Sequence, residues 1–201
     1  MAKVIEQQTV RRHRFTVEEY RKMGEAGIFH EDDRVELIDG EVLEMSPIGW
    51  RHVHCVRQLN RILSRFADRR TTKGERSEVA VQDPFILGEH GEPQPDLVLL
   101  LSPPVGRLPG FEEVALAIEV ADTSLSYDRD IKLPRYAQAG IPETWLVDLK
   151  ANRIEVHSEP GPDGYRKTAR NARGERVESA TLPDLAFDTS EVLPPTDPEQ
   201  A

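Results

Sequence analysis

The chain has 201 residues, enough for one domain with a sizeable core, and its 38% hydrophobic and 31% charged residues are ordinary for a folded globular protein. The net charge of -10 counts against a protein that coats nucleic acid through bulk charge, while leaving room for a local basic surface. The single cysteine, Cys55, excludes an internal disulfide and a cysteine-built zinc site. No apolar run reaches the roughly 20 residues a bilayer span requires, and MAKVIEQQTVRRHR lacks the apolar core of a secretory signal, so a cytoplasmic protein without a membrane partner is expected.

Residues 1–13 are polar and unpatterned and read as a flexible arm. A short helix is predicted from Thr16 to Gly27, opened by a Thr16/Glu19 capping box and stopped by glycine. In RVELIDGEVLEM, Asp39-Gly40 between alternating runs predicts a tight hairpin. That turn places Glu36 opposite Leu43, on a face shared with Ile38, where a carboxylate needs a partner. Trp50 to Arg70 reads as a helix with an apolar stripe of Val53, Val56, Ile62, Leu63 and Phe66. Arg57, Arg61, Arg65 and Arg69 form a row on another face, read as a solvated face in preference to a phosphate track.

Three strands are predicted next, over Glu78–Leu87, Asp96–Leu101 and Val114–Ala121. The last two are nearly continuous apolar runs, as central strands covered on both faces would be. A helix is expected around Asp128–Ala139, ending at Gly140, with Pro134 either in its first turn or kinking it. Glu143–Leu149 reads as a strand, with Asp148 at its closing turn, and a hairpin spans Arg153–His157 and Tyr165–Arg170. Residues 193–201 read as a disordered acidic, proline-rich tail, leaving 14–192 as one domain. The element order is that of a mixed α/β core with hairpins at its ends.

Two carboxylates stand out against apolar runs: Asp96, after Pro95 at the start of one strand, and Glu119 near the end of the next. Burying an unpaired carboxylate is costly, and two that meet repel unless a cation lies between them. A hard divalent ion such as Mg²⁺, with Mn²⁺ as the alternative, suits oxygen ligands and can lower the pKa of bound water. Lys132 shares a helix face with Asp128 and Tyr136, one turn to either side, so an ammonium could be aimed at such a site with a hydroxyl in support. His52 and His54 lie two apart on a helix and point to different sides, which argues against zinc; His52 reads as an ordinary residue of the first helical turn in preference to one that reaches the site or a phosphate.

These segments carry a family resemblance. RVELIDGEVLEMSP, His52, QPDLVLLL and AIEVADTSLSYDRDIKLPRYAQAGIPETWLVD resemble the Uma2 family, restriction-endonuclease-like proteins of the PD-(D/E)XK nuclease superfamily, over roughly residues 14–190. The resemblance implies a restriction-endonuclease-like fold: a mixed central sheet flanked by helices, with additional β-hairpins. It implies a Mg²⁺-dependent endonuclease hydrolysing DNA phosphodiester bonds. Asp96 and Glu119 fall on the metal-binding acids, Glu36 on the early family glutamate, and Lys132 and Tyr136 on the family lysine and tyrosine. A homodimer is the assembly that double-strand cleavage would call for.

One position departs from the superfamily's common pattern. Two residues after the second acid, where a lysine is usual, the chain has Ala121, so Lys132 has to reach in from the following helix past Pro134. Ala121 and Pro134 are the features that would favour the alternative, a catalytically weak or inactive nucleic-acid-binding module that retains the fold. A structural interaction protein with a chance acidic pair would instead hold Asp96 and Glu119 far apart.

Overall fold

The computed structural model describes residues 11–30, 32–45 and 47–195. The greater part of the arm and residues 196–201 of the tail therefore lie outside the described residues. Helix α1 (Val17–Glu25) opens with the capping box expected from sequence: the Thr16 hydroxyl accepts from the Glu19 amide and the Glu19 carboxylate from the Thr16 amide. Strands β1 (Val35–Ile38) and β2 (Glu41–Glu44) form the hairpin around Asp39-Gly40, with Glu36 opposite Leu43. Both turn residues have positive φ, as a two-residue hairpin turn of this kind demands.

Helix α2 (Trp50–Thr72) buries Cys55, Leu59, Leu63, Phe66 and Ala67. They pack on one face of a central sheet which, among the described residues, has six strands in sequence order: β3 (Ser77–Val81), β4 (Leu97–Leu101), β5 (Val114–Ala121), β6 (Glu143–Asp148), β7 (Arg153–Ser158) and β8 (Lys167–Ala172). Every pairing is antiparallel except β5 with β6. That parallel pair needs a crossover, made by α3 (Leu125–Tyr127), a π-helical turn (Asp128–Lys132) and α4 (Leu133–Ala139).

The crossover covers the opposite face of the sheet. Tyr136 and Ile141 pack with Val98 and Ala117, and Leu133 packs with Ala121 and Leu146. Coverage on both faces is why all eight residues of β5 are buried and its sequence shows no alternation. Truncating a core side chain such as Leu63 to alanine would cost about 2–5 kcal/mol.

Three expectations are corrected. Strand β3 ends at Val81 instead of continuing to Leu87, because Gln82 takes a positive φ and Pro84 cannot donate to a ladder. The expected tail begins too early: Val192 and Leu193 are buried in the core beneath α2. Two short strands, β9 (Arg176–Glu178) and β10 (Ala186–Asp188), pair in a hairpin not anticipated from sequence. Among the described residues no helix is long and apolar enough to cross a membrane.

Candidate active site

The register of β4 on β5 sets Leu97 against Ile118 and Val98 against Ala117. Continuing that antiparallel ladder one residue past Leu97 brings Asp96 alongside Glu119, both on the crossover face of the sheet. The Oδ2 of Asp96 accepts the Val120 amide at 2.8 Å, which fixes the carboxylate on the neighbouring strand. Asp96 and Glu119 line one cleft of about 320 Å³ together with Glu36, His52, Tyr127, Asp128 and Lys132. The reading that held the two acids to be distant strangers is thereby excluded.

Lys132 is brought in by the π turn. The Leu133 amide donates to the Asp128 carbonyl five residues back, a π-type bond that widens the helix just before Pro134. Pro134 then falls in the first turn of α4, where its missing N–H costs little. Ala121 helps in another way: its small side chain accepts Leu133 at close range, which seats the crossover against the sheet.

The Lys132 Nζ stands 3.0 Å from Glu36 Oε2 and 3.2 Å from Glu119 Oε1, all three side chains being buried. Tyr136 donates its hydroxyl to the same Glu119 oxygen at 2.7 Å. Glu36 also accepts from the Tyr127 hydroxyl at 3.2 Å and the Gln94 amide at 3.1 Å. All five residues singled out from sequence thus converge on one cleft or its floor. Of these, Glu36 proves to be the partner that Lys132 requires and not a solvated hairpin residue.

His52 takes the less favoured of its two readings and reaches the site. Its Nε2 is 2.9 Å from Asp96 Oδ1, because the first turn of α2 reaches the start of β4. Its Nδ1 is buried without a partner. Tyr127 went unnoticed in the sequence, and Asp128 was noticed only as a neighbour of Lys132. A polar residue on the site-facing side of the crossover, repeated a turn from Lys132, was the available signal.

The electrostatics follow from crowding. Burial pushes the Glu119 carboxyl well above the usual range; Lys132 pulls it down, and Asp128, Asp96 and Glu36 push it up again. Burial likewise raises Asp128 to about 6 against Lys132, with Ser124 donating to its Oδ2 at 2.6 Å. Burial alone would lower the Lys132 ammonium, but the carboxylates of Glu119, Glu36 and Asp128 outweigh it and hold the charge in place. The tyrosines at positions 127 and 136 are pushed up chiefly by burial and stay as neutral donors.

Glu36, Asp96, Glu119 and Asp128 line the cleft with Lys132, and Asp96 and Glu119 are the carboxylates that could hold a cation there. Among the described residues no three His, Cys, Asp or Glu side chains form a ready-made metal cage. Two carboxylates could hold only an ion that keeps most of its water. Glu119 suits this, since Lys132 and Tyr136 occupy only its Oε1.

Comparisons with known proteins give the family and the fold. The profile of the family described as "Uma2: Putative restriction endonuclease" matches residues 17–190. The fold is similar to that of a solved structure described as "a putative nuclease belonging to DUF820 from Anabaena variabilis ATCC 29413", with a TM-score of 0.68 and 13% sequence identity, over 89% of this chain and 97% of that one. At that identity the likeness concerns the fold alone. No curated protein matches the chain.

Proposed function

Because the chain belongs to the Uma2 family and has a restriction-endonuclease-like fold, we propose that it is a Mg²⁺-dependent endonuclease that hydrolyses DNA phosphodiester bonds. The observation that carries this reading is the convergence of Asp96, Glu119 and Lys132 on one cleft. Asp96 and Glu119 would hold the divalent ion, with Mn²⁺ an acceptable substitute. When bound, such an ion supplies a water of lowered pKa and neutralises charge on the phosphoryl oxygens.

The chain's own residues do the rest. Tyr136 and Lys132 together fix Glu119 Oε1, so that the carboxylate presents its other oxygen to the cleft. Glu36, itself anchored by Tyr127 and the Gln94 amide, holds the ammonium of Lys132 at the cleft floor. From there the ammonium is placed to orient the attacking water or to stabilise charge building on the phosphoryl group. His52 sets the rotation of Asp96 from the other side. Water is the nucleophile, so the chain forms no covalent intermediate.

The binding-only alternative rested on Ala121 and Pro134. The Lys132–Glu119 contact weighs against it, because the ammonium reaches the site despite both. The test is a plasmid nicking assay with and without Mg²⁺ or Mn²⁺. Wild type should nick in the presence of metal, and Asp96→Ala and Glu119→Ala should not. Equal activity in all three proteins would identify a contaminant and defeat the proposal.

A further inference from the structure

On the crossover face of the sheet, two strands away from β5, three arginines gather around one buried carboxylate. Glu155 Oε1 lies 2.7 Å from Arg153 Nη2, 3.2 Å from Arg129 Nη2 and 3.4 Å from Arg170 Nε. Arg153 and Arg129 also reach Asp148 Oδ2, at 3.3 and 3.8 Å. The register Leu146–Glu155–Arg170 places these groups on the same side of the sheet as Glu119, which pairs with Leu146.

This cluster has more positive charge than it needs for its own carboxylates. Three guanidinium groups face two buried acids, in a chain whose net charge is -10. A guanidinium carries five N–H donors in a fixed fork, more than these two acids can take up from three arginines. The Nε of Arg153 is buried with no acceptor at all. The side chains of Arg129, Arg153 and Arg170 are 35%, 33% and 62% exposed, so each guanidinium lies at the surface.

Position completes the argument. Asp148 pairs with Ala121, the last residue of β5, and Asp122, which follows it, lines the cleft. Arg129 directly follows the cleft residue Asp128. With neighbouring strands about 4.8 Å apart, Arg153 on β7 stands roughly 10 Å across the sheet from the end of β5. Along a duplex axis that distance is about three base-pair steps.

We propose that Arg129, Arg153 and Arg170 form a phosphate-binding subsite that grips the backbone of duplex DNA beside the scissile bond. The subsite rests on the nuclease reading above and adds to it where the substrate lies: across the ends of β5, β6 and β7, with Glu155 holding the three forks in register.

The test is fluorescence anisotropy of a labelled DNA duplex in EDTA, over a potassium chloride series, so that no hydrolysis enters the readout. Arg129→Gln/Arg170→Gln should bind at least severalfold more weakly than wild type. It should also lower the slope of log affinity against log salt by about one for each arginine removed. Arg170→Gln alone, at the most exposed of the three, keeps the test valid if the double variant melts early. Arg61→Gln/Arg65→Gln on the outer face of α2 should bind as wild type does. Wild-type affinity and slope in the Arg129/Arg170 variants, an equal loss in the Arg61/Arg65 control, or no binding by wild type would each overturn the subsite. The nuclease reading fails by a different result, absence of metal-dependent nicking.

Discussion

Lys132 Nζ lies 3.2 Å from Glu119 Oε1, and both side chains are almost wholly removed from water. Deleting the ammonium leaves Glu119 and Glu36 both uncompensated in a low-dielectric setting, a loss of about 3–5 kcal/mol for a broken buried pair. Lys132→Met should therefore lower the urea midpoint and abolish nicking together. Adding Glu119→Gln to it should recover part of the stability and none of the activity. If Lys132→Met unfolds at the wild-type midpoint, the ammonium is not paired as described.

A metal held by the native state must stabilise it by linkage, by about 2.7 kcal/mol at a concentration one hundred times its dissociation constant. A thermal melt of wild type should rise with added Mg²⁺ or Mn²⁺. Asp96→Asn and Glu119→Gln should remove that rise. An unchanged melt in wild type would leave the site without its cation.

Asp128 gives a pH signature in the metal-free protein. Burial pushes its pKa up to about 6 from the ordinary 3.8. Between those values the folded chain binds more protons than the unfolded one, so its stability falls as pH rises. The contribution is complete below pH 4 and lost through pH 6, a change of about 3 kcal/mol at 1.36 kcal/mol per unit. Chemical denaturation of Asp128→Asn should lack this component, and the gap between variant and wild type should open in that window. Parallel pH curves would contradict the burial of a titrating carboxyl.

Cys55 is fully buried, donates its thiol to the Val192 carbonyl at 3.3 Å, and has a pKa pushed up to about 12 by burial. The native protein should therefore be inert to a thiol reagent such as Ellman's reagent and react only at the rate of opening. Denaturant should accelerate the reaction in step with global unfolding. Rapid labelling of the native protein would mean that the segment around Val192 is not seated beneath α2.

Much of the fold was legible because its signals are local. Thr16 and Glu19 announce a helix start through their own hydrogen bonds, and Asp39-Gly40 announces a turn through backbone conformations that few residues tolerate. The nearly continuous apolar run of Val114–Ala121, interrupted by Glu119, requires cover on both faces whatever supplies it. The strands Arg176–Glu178 and Ala186–Asp188 were not legible, since three residues are too few to show a period.

For the candidate site, the sequence by itself determined the chemistry on offer: Asp96 and Glu119 as carboxylates on apolar strands, Glu36 in need of a partner, and Lys132 on the face of a following helix. Only the tertiary structure decided who meets whom. The pairing of β4 with β5 brings Asp96 beside Glu119, the π turn ahead of Pro134 carries Lys132 to both Glu36 and Glu119, and the start of α2 sets His52 on Asp96. The reason is physical: residue types and periodicity record what each side chain can do and which face it shows. The distances between charges depend on how sheet and crossover pack, and that is set by contacts such as Ala121 with Leu133, which lie far from any motif.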